Sequence, residues 1–110
     1  MKTGAEYLIC SAIWYQDGNI YNHQPVNIES GMVVCGLRHS NCFATMGNVL
    51  DIVGRRDLMI DCKIKIKQGF ITNGHRFVDR CEALQIAVRA NQLKPETTIR
   101  NNCLYSEDIF

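Results

Sequence analysis

The segment CGLRHSNC, residues 35–42, crowds two thiols, an imidazole and a guanidinium into a short run. Cys35, His39 and Cys42 are zinc-ligand types, and zinc is the first chemistry to weigh. Structural zinc usually takes paired Cys-x2-Cys units and four ligands. The spacing here is wider, and a fourth ligand would have to come from Cys62 or Cys81. Nucleophilic catalysis is the second. A reactive cysteine needs a neighbouring base and an electropositive setting, and Cys35 or Cys42 beside His39 offers only the base. His23 and His75 fall in loop-like sequence with no orienting carboxylate. No Gly-x-Ser-x-Gly, Walker or His-Glu-x-x-His motif occurs. The expectation is therefore no catalytic residue, no metal and no cofactor.

The third chemistry is anion binding. Arg38 and His39 precede a predicted helix start, where unpaired N–H groups and the positive end of the helix dipole favour a phosphate. Arg76 and Arg80 flank a second predicted helix start, beside Phe70 and Phe77. Guanidinium forks grip phosphate and aromatic faces stack bases. The candidate ligand-binding set is Arg38, His39, Phe70, Arg76, Phe77 and Arg80. The plainer alternative has the arginines in salt bridges with Asp79, Glu82 or the Ser-Glu-Asp near residue 107, and the phenylalanines in the core.

These residues need elements to hold them. YLICSAIWY (7–15) is rich in β-formers and runs into Gln-Asp-Gly-Asn, a turn signal, so residues 5–22 read as an N-terminal hairpin with its second strand at 19–22. MVVCGL reads as a short buried strand. Phe43, Met46, Val49, Leu50 and Val53 then recur at helical spacing, with Ser40 or Asn41 to cap and Gly54 to end the helix, giving a strand and helix over 32–54. Ile60, Cys62, Ile64 and Ile66 alternate with Asp61, Lys63, Lys65 and Lys67, the pattern of a half-exposed strand. Asn73-Gly74 predicts a type I′ hairpin, so 58–78 reads as strands and a hairpin. Asp79 with Glu82 has capping-box spacing and opens a helix over 79–92, and Pro95 stops it. Residues 96–110 form a C-terminal tail whose LYSEDIF end is expected to be exposed and to dock on a neighbouring copy.

The sum is a small α+β single domain, residues 1–110, of antiparallel strands and hairpins with two helices. A net charge of +1 supplies no global field for nucleic acid. No apolar run approaches the ~20 residues that span a bilayer, and MKTGAEYLIC lacks the sustained apolar region of a secretion signal. A cytoplasmic protein with reduced thiols is expected.

The motifs VVCGLRHSNCFATM, QGFITNGHRFVDRCEALQIA and LYSEDIF resemble those of a group of short proteins encoded by bacteriophages, over most of residues 33–110. Ser40 departs from that pattern, which has a second histidine there. The resemblance implies an anti-defence role in the host bacterial cytoplasm. It points to a sponge that sequesters a nucleotide immune signal, a cyclic ADP-ribose isomer of Thoeris defence or a cyclic oligonucleotide. Such a sponge is a non-enzymatic homo-oligomer with pockets at subunit interfaces. A phage protein that inhibits a host defence protein by direct docking is the alternative.

Overall fold

The computed structural model describes residues 5–52, 54 and 64–110. Four strands form one antiparallel sheet: β1 (Leu8–Gln16), β2 (Met32–Gly36), β3 (Lys65–Thr72) and β4 (Phe77–Asp79), in the order β2-β1-β3-β4. Helix α1 (His39–Ile52) follows β2, and α2 (Arg80–Arg89) follows β4. A 3-10 turn, Ser106–Asp108, closes the tail. The small α+β class read from the sequence is the fold observed.

Side chains alternate across the sheet, and both helices lie on one face. α1 lays Cys42, Met46 and Leu50 against Ile13, Tyr15 and Val34. α2 lays Ala83, Ile86 and Ala87 against Leu8, Phe70 and Val78, with Leu104 of the tail completing that cluster. Fully burying a side chain such as Phe70 or Ile86 contributes about 1.5–3 kcal/mol. The two apolar clusters are separate, and polar residues fill the seam between them.

Of the capping box predicted at α2, the Asp79 half is in place, while the Glu82 carboxylate turns to Arg76. The Asp79 side chain accepts the Glu82 N–H at 2.8 Å. At the other end the N–H groups of Asn91 and Gln92 return to the carbonyls of Val88 and Ala87, and Asn91 takes a positive φ of 56°. This is a Schellman ending with asparagine where glycine is usual. α1 begins one residue before Ser40: the Arg38 carbonyl accepts from Asn41 and Cys42, while the Asn41 side chain returns to the Arg38 N–H at 3.1 Å. Gly54 ends it at φ 71°.

Two local readings are corrected. Residues 19–22 form no strand. Asp17 gathers the Asn19 N–H (2.9 Å) and the Tyr21 hydroxyl (2.5 Å) on its carboxylate and bends the chain away. β1 instead pairs with β2 on one side and β3 on the other, so it has no edge left for a hairpin partner. The β3–β4 connection is also not type I′. His75 N–H bonds to the Thr72 carbonyl, and His75 itself, at φ 60°, takes the left-handed position. That is the three-residue hairpin loop, a type I turn followed by a left-handed residue. The half-exposed alternation predicted before β3 continues through Lys65, Ile66 and Lys67; Val53, Ile60, Asp61, Cys62 and Lys63 lie outside the described residues.

Side-chain amides stand in for missing strand neighbours. Asn27 bonds both the N–H (2.8 Å) and the carbonyl (2.7 Å) of Phe77 on β4. Gln24 accepts the Val33 N–H of β2 at 2.8 Å. Gln92 bonds the N–H and carbonyl of Leu8, each at 2.9 Å. Unpaired strand groups are a pairing hazard, and these amides occupy them.

Candidate functional site

Both helices start over the middle of the sheet, and the residues at those starts meet the tail there. Ser11 on β1 faces the seam between the two apolar clusters and is fully buried. Its hydroxyl lies 2.9 Å from Ser106 Oγ and 3.0 Å from the Leu37 carbonyl. Ser106 Oγ also accepts the His39 N–H at 3.0 Å and lies 2.5 Å from His39 Nδ1. The other ring nitrogen, Nε2, is 2.8 Å from the Gly69 carbonyl. A carbonyl only accepts, so Nε2 carries the proton, and Nδ1 presents a lone pair to the Ser106 hydroxyl. Gly69 is required at this crossing, since a Cβ there would run into the Val78 carbonyl and come within 2.7 Å of the Phe77 ring.

His39 is 7% exposed and packs edge-on to Phe70, with ring centroids 5.1 Å apart. Its pKa is lowered, first by burial and then by the nearby Arg80 charge, against the opposing pull of the Gly69 carbonyl and Glu107. A neutral ring matches its partners, because Arg80 Nη2 also points at Nδ1, at 3.4 Å.

Arg80 is the unusual member. Its Nη2 donates to the Gln68 amide oxygen at 2.5 Å, and its guanidinium carbon lies 4.5 Å from the Tyr105 ring centroid. All these partners are neutral. Its buried Nε has no hydrogen-bond partner, a state that costs free energy in a folded protein. Arg100 lies over the same ring at 4.3 Å and reaches Glu107 at 3.9 Å. Arg38, Arg80, Tyr105 and Glu107 line an open cleft of about 300 Å³ at the start of α1, near the small end of ligand sites.

Of the residues predicted to bind ligand, Arg38, His39 and Arg80 come together in this cleft. Arg76 does not. Its guanidinium forks onto both oxygens of Glu6, each at 2.9 Å, and takes Glu82 at 2.8 Å. These carboxylates raise its pKa, and Arg76 in turn lowers that of Glu6. Neither phenylalanine offers a face to a base. Phe70 is wholly buried, and Phe77 is 6% exposed with its ring tilted against Trp14 at 5.9 Å. The stacking role predicted for them is corrected: their spacing reflects β3 and β4 burying one residue toward each face of the sheet.

The tail expectation is corrected as well. LYSEDIF docks on its own chain. Leu104 is fully buried, Ser106 meets Ser11 and His39, and the Phe110 main-chain oxygen accepts from Arg38 (2.8 Å) and Lys94 (2.9 Å). Tyr105, Ser106, Gln68 and Ser11 lie outside the set predicted from sequence. Tyr105 and Ser106 fall in the LYSEDIF motif noted in the sequence, and Gln68 shares the face of Phe70 within β3; nothing around Ser11 marks it.

The Ser106 hydroxyl is the centre of the hydrogen-bond network beneath the cleft. Ser106 is buried, donates to His39 Nδ1 and accepts from the His39 N–H, with the Ser11 hydroxyl filling its remaining side. The described residues contain no group of three or more His, Cys, Asp or Glu side chains placed to hold a metal. No helix among them is long and apolar enough to cross a membrane.

No curated protein and no solved structure matches the chain. A family model, that of the phage T4 y16D protein, matches residues 7–110, which takes in every strand, both helices, the cleft and the docked tail. The chain belongs to the phage T4 y16D protein family.

Proposed function

We propose that this phage-family protein binds a phosphorylated nucleotide signal of its host and holds it without turnover, as an anti-defence sponge. The observation that carries the reading is Arg80: a half-buried guanidinium on a cleft wall, surrounded by neutral partners, with its Nε unmet. A phosphate oxygen on the cleft side of this guanidinium would supply the opposite charge that its own chain does not. Arg38 adds a second guanidinium on the same cleft. Tyr105 is the aromatic platform a base could use, at the ring face where the exposed Arg100 now lies.

A cleft of about 300 Å³ takes a phosphate with part of its nucleoside. A cyclic dinucleotide or a cyclic ADP-ribose isomer would project beyond it, toward a second copy of the chain. That supports an oligomer whose pockets are completed between subunits. Cytoplasmic action in the infected cell fits such a target.

The test is release. The protein is incubated with a cyclic ADP-ribose isomer or a cyclic dinucleotide, separated from free ligand and heat-denatured, and the supernatant is analysed by mass spectrometry. Intact ligand is expected. A modified product would make the protein an enzyme, and failure to retain any phosphorylated nucleotide would redirect the reading to direct docking on a host defence protein.

A further inference from the structure

All five described cysteines are unbridged; Cys10 and Cys35 share a side-chain hydrogen bond, and Cys81 and Cys103 touch beside the cleft. Cys81 Sγ and Cys103 Sγ lie 3.9 Å apart, 22 positions apart in sequence. Cys81 is in the first turn of α2 and exposed; Cys103 is half-buried just before the docked tail. Their backbones are already tied, because the Leu104 N–H donates to the Arg80 carbonyl at 3.0 Å. The Cys103 N–H is also held, by the Arg100 carbonyl at 3.0 Å. The two sulfurs, 3.9 Å apart on segments hydrogen-bonded to each other, have just under 2 Å to close to the disulfide distance of about 2.05 Å.

We infer that Cys81 and Cys103 form a reversible disulfide that fastens the tail to the start of α2. The co-reactant is a small-molecule disulfide, RSSR. One protein thiolate attacks a sulfur of RSSR, forming a protein–SR mixed disulfide and expelling RS⁻, which takes up a proton. The second protein thiol loses its proton and attacks the protein sulfur of that mixed disulfide. The Cys81–Cys103 bond forms and a second RSH leaves. Two protein thiols are oxidised, and one RSSR is reduced to two RSH. Exposure of Cys81 provides the access that such exchange requires.

The bond would join the two walls of the cleft. Cys81 follows Arg80 directly, and Tyr105 lies two residues after Cys103. Oxidation fixes the Arg80–Tyr105 contact through a covalent link, whereas reduction leaves it to hydrogen bonds and packing. This holds whether or not the cleft binds a nucleotide.

The experiment uses the full chain and oxidised glutathione. Wild type, Cys81→Ser and Cys103→Ser are incubated with the reagent, and intact mass and peptide maps are recorded. Wild type is expected to yield a peptide linking Cys81 to Cys103, with a loss of about 2 Da for the two hydrogens. Each variant is expected to stop at a glutathione adduct on its remaining member of the pair. Oxidised wild type should melt on the order of 10 °C higher than reduced. Amides of residues 103–110 should exchange more slowly on oxidation in wild type and show no change in either variant. A peptide map without the Cys81–Cys103 link, or with glutathione retained on both cysteines, overturns the inference. A link that leaves tail exchange unchanged overturns the fastening role.

Discussion

Arg76 and Arg80 stand four residues apart at the entrance to the same helix, and in sequence they look alike. Their surroundings divide them. Arg76 faces two carboxylates and uses its fork on Glu6 and Glu82. Arg80 faces an amide oxygen, an imidazole lone pair and a tyrosine ring, and keeps Nε unmet. A charge already neutralised by its own chain does structural work, while a charge given only neutral partners remains available to a ligand. Position beside a helix start is common to both and does not separate them; the charge of what lies opposite does.

The comparison breaks most clearly in binding. Arg80→Ala should weaken affinity for the cyclic nucleotide on the order of 100-fold, since it removes a charge-assisted contact. Arg76→Ala should leave affinity within about twofold, once the folded fraction is accounted for. Calorimetry on both variants checks this, and equal losses would show that the two arginines share one role.

Next in size is the hub that both helix starts rest upon. Ser106→Ala removes partners from His39 and Ser11 at once, and should cost about 2 kcal/mol in urea unfolding. Ser106→Cys, which keeps a weak donor, should recover part of it. A cost near zero would mean that the tail is held by Leu104 and the Phe110 contacts alone.

Stability should then reverse the order seen in binding. Arg76→Ala is expected to lose about 1 kcal/mol, a value reduced for solvent screening because its side chain is 35% exposed. The loss should shrink as salt is raised. Arg80→Ala should unfold within about 0.5 kcal/mol of wild type, because it also removes a buried N–H that lacks a partner. A larger cost at Arg80 than at Arg76 would contradict the division drawn between them.

The smallest effect expected is with pH, and it separates His39 from both arginines. The folded protein holds His39 below its ordinary value of 6.5. Between the folded and unfolded values the unfolded chain therefore binds more protons, and stability rises with pH. The His39 contribution is complete above about pH 6.5 and declines as acid is added. Thermal melts at pH 7.5 and 5.5 should show this decline in wild type and a flatter response in His39→Gln. An equal response in both would assign the pH dependence to other groups.

Local signals are legible in the sequence. The Asp79 cap, the helix end at Gly54, the Met32–Gly36 strand and both amphipathic helices each depend on neighbours within a few residues, so residue spacing carries them. Arg38, His39 and Arg80 are legible for the same reason: each announces a helix start. What stays hidden depends on distance along the chain. Ser11 and Ser106 are 95 positions apart, and nothing in either neighbourhood encodes their meeting. Phe70 and Phe77 mislead because an aromatic beside an arginine looks the same in sequence whether its ring is buried or open. Residues 19–22 fail as a strand because one aspartate collects three groups of its own loop: the Asn19 N–H and side-chain amide and the Tyr21 hydroxyl.

The amide side chains at the sheet margin bear on behaviour at high concentration. A phage protein must stay dispersed in a crowded host, and a bare strand edge invites one molecule to extend the sheet of the next. Here Asn27 caps Phe77 on the short outer strand, and Gln24 answers Val33 on the opposite one. A neighbouring chain finds those positions taken. At these two positions sheet extension would first have to displace a side-chain amide, which raises the barrier to edge-to-edge pairing.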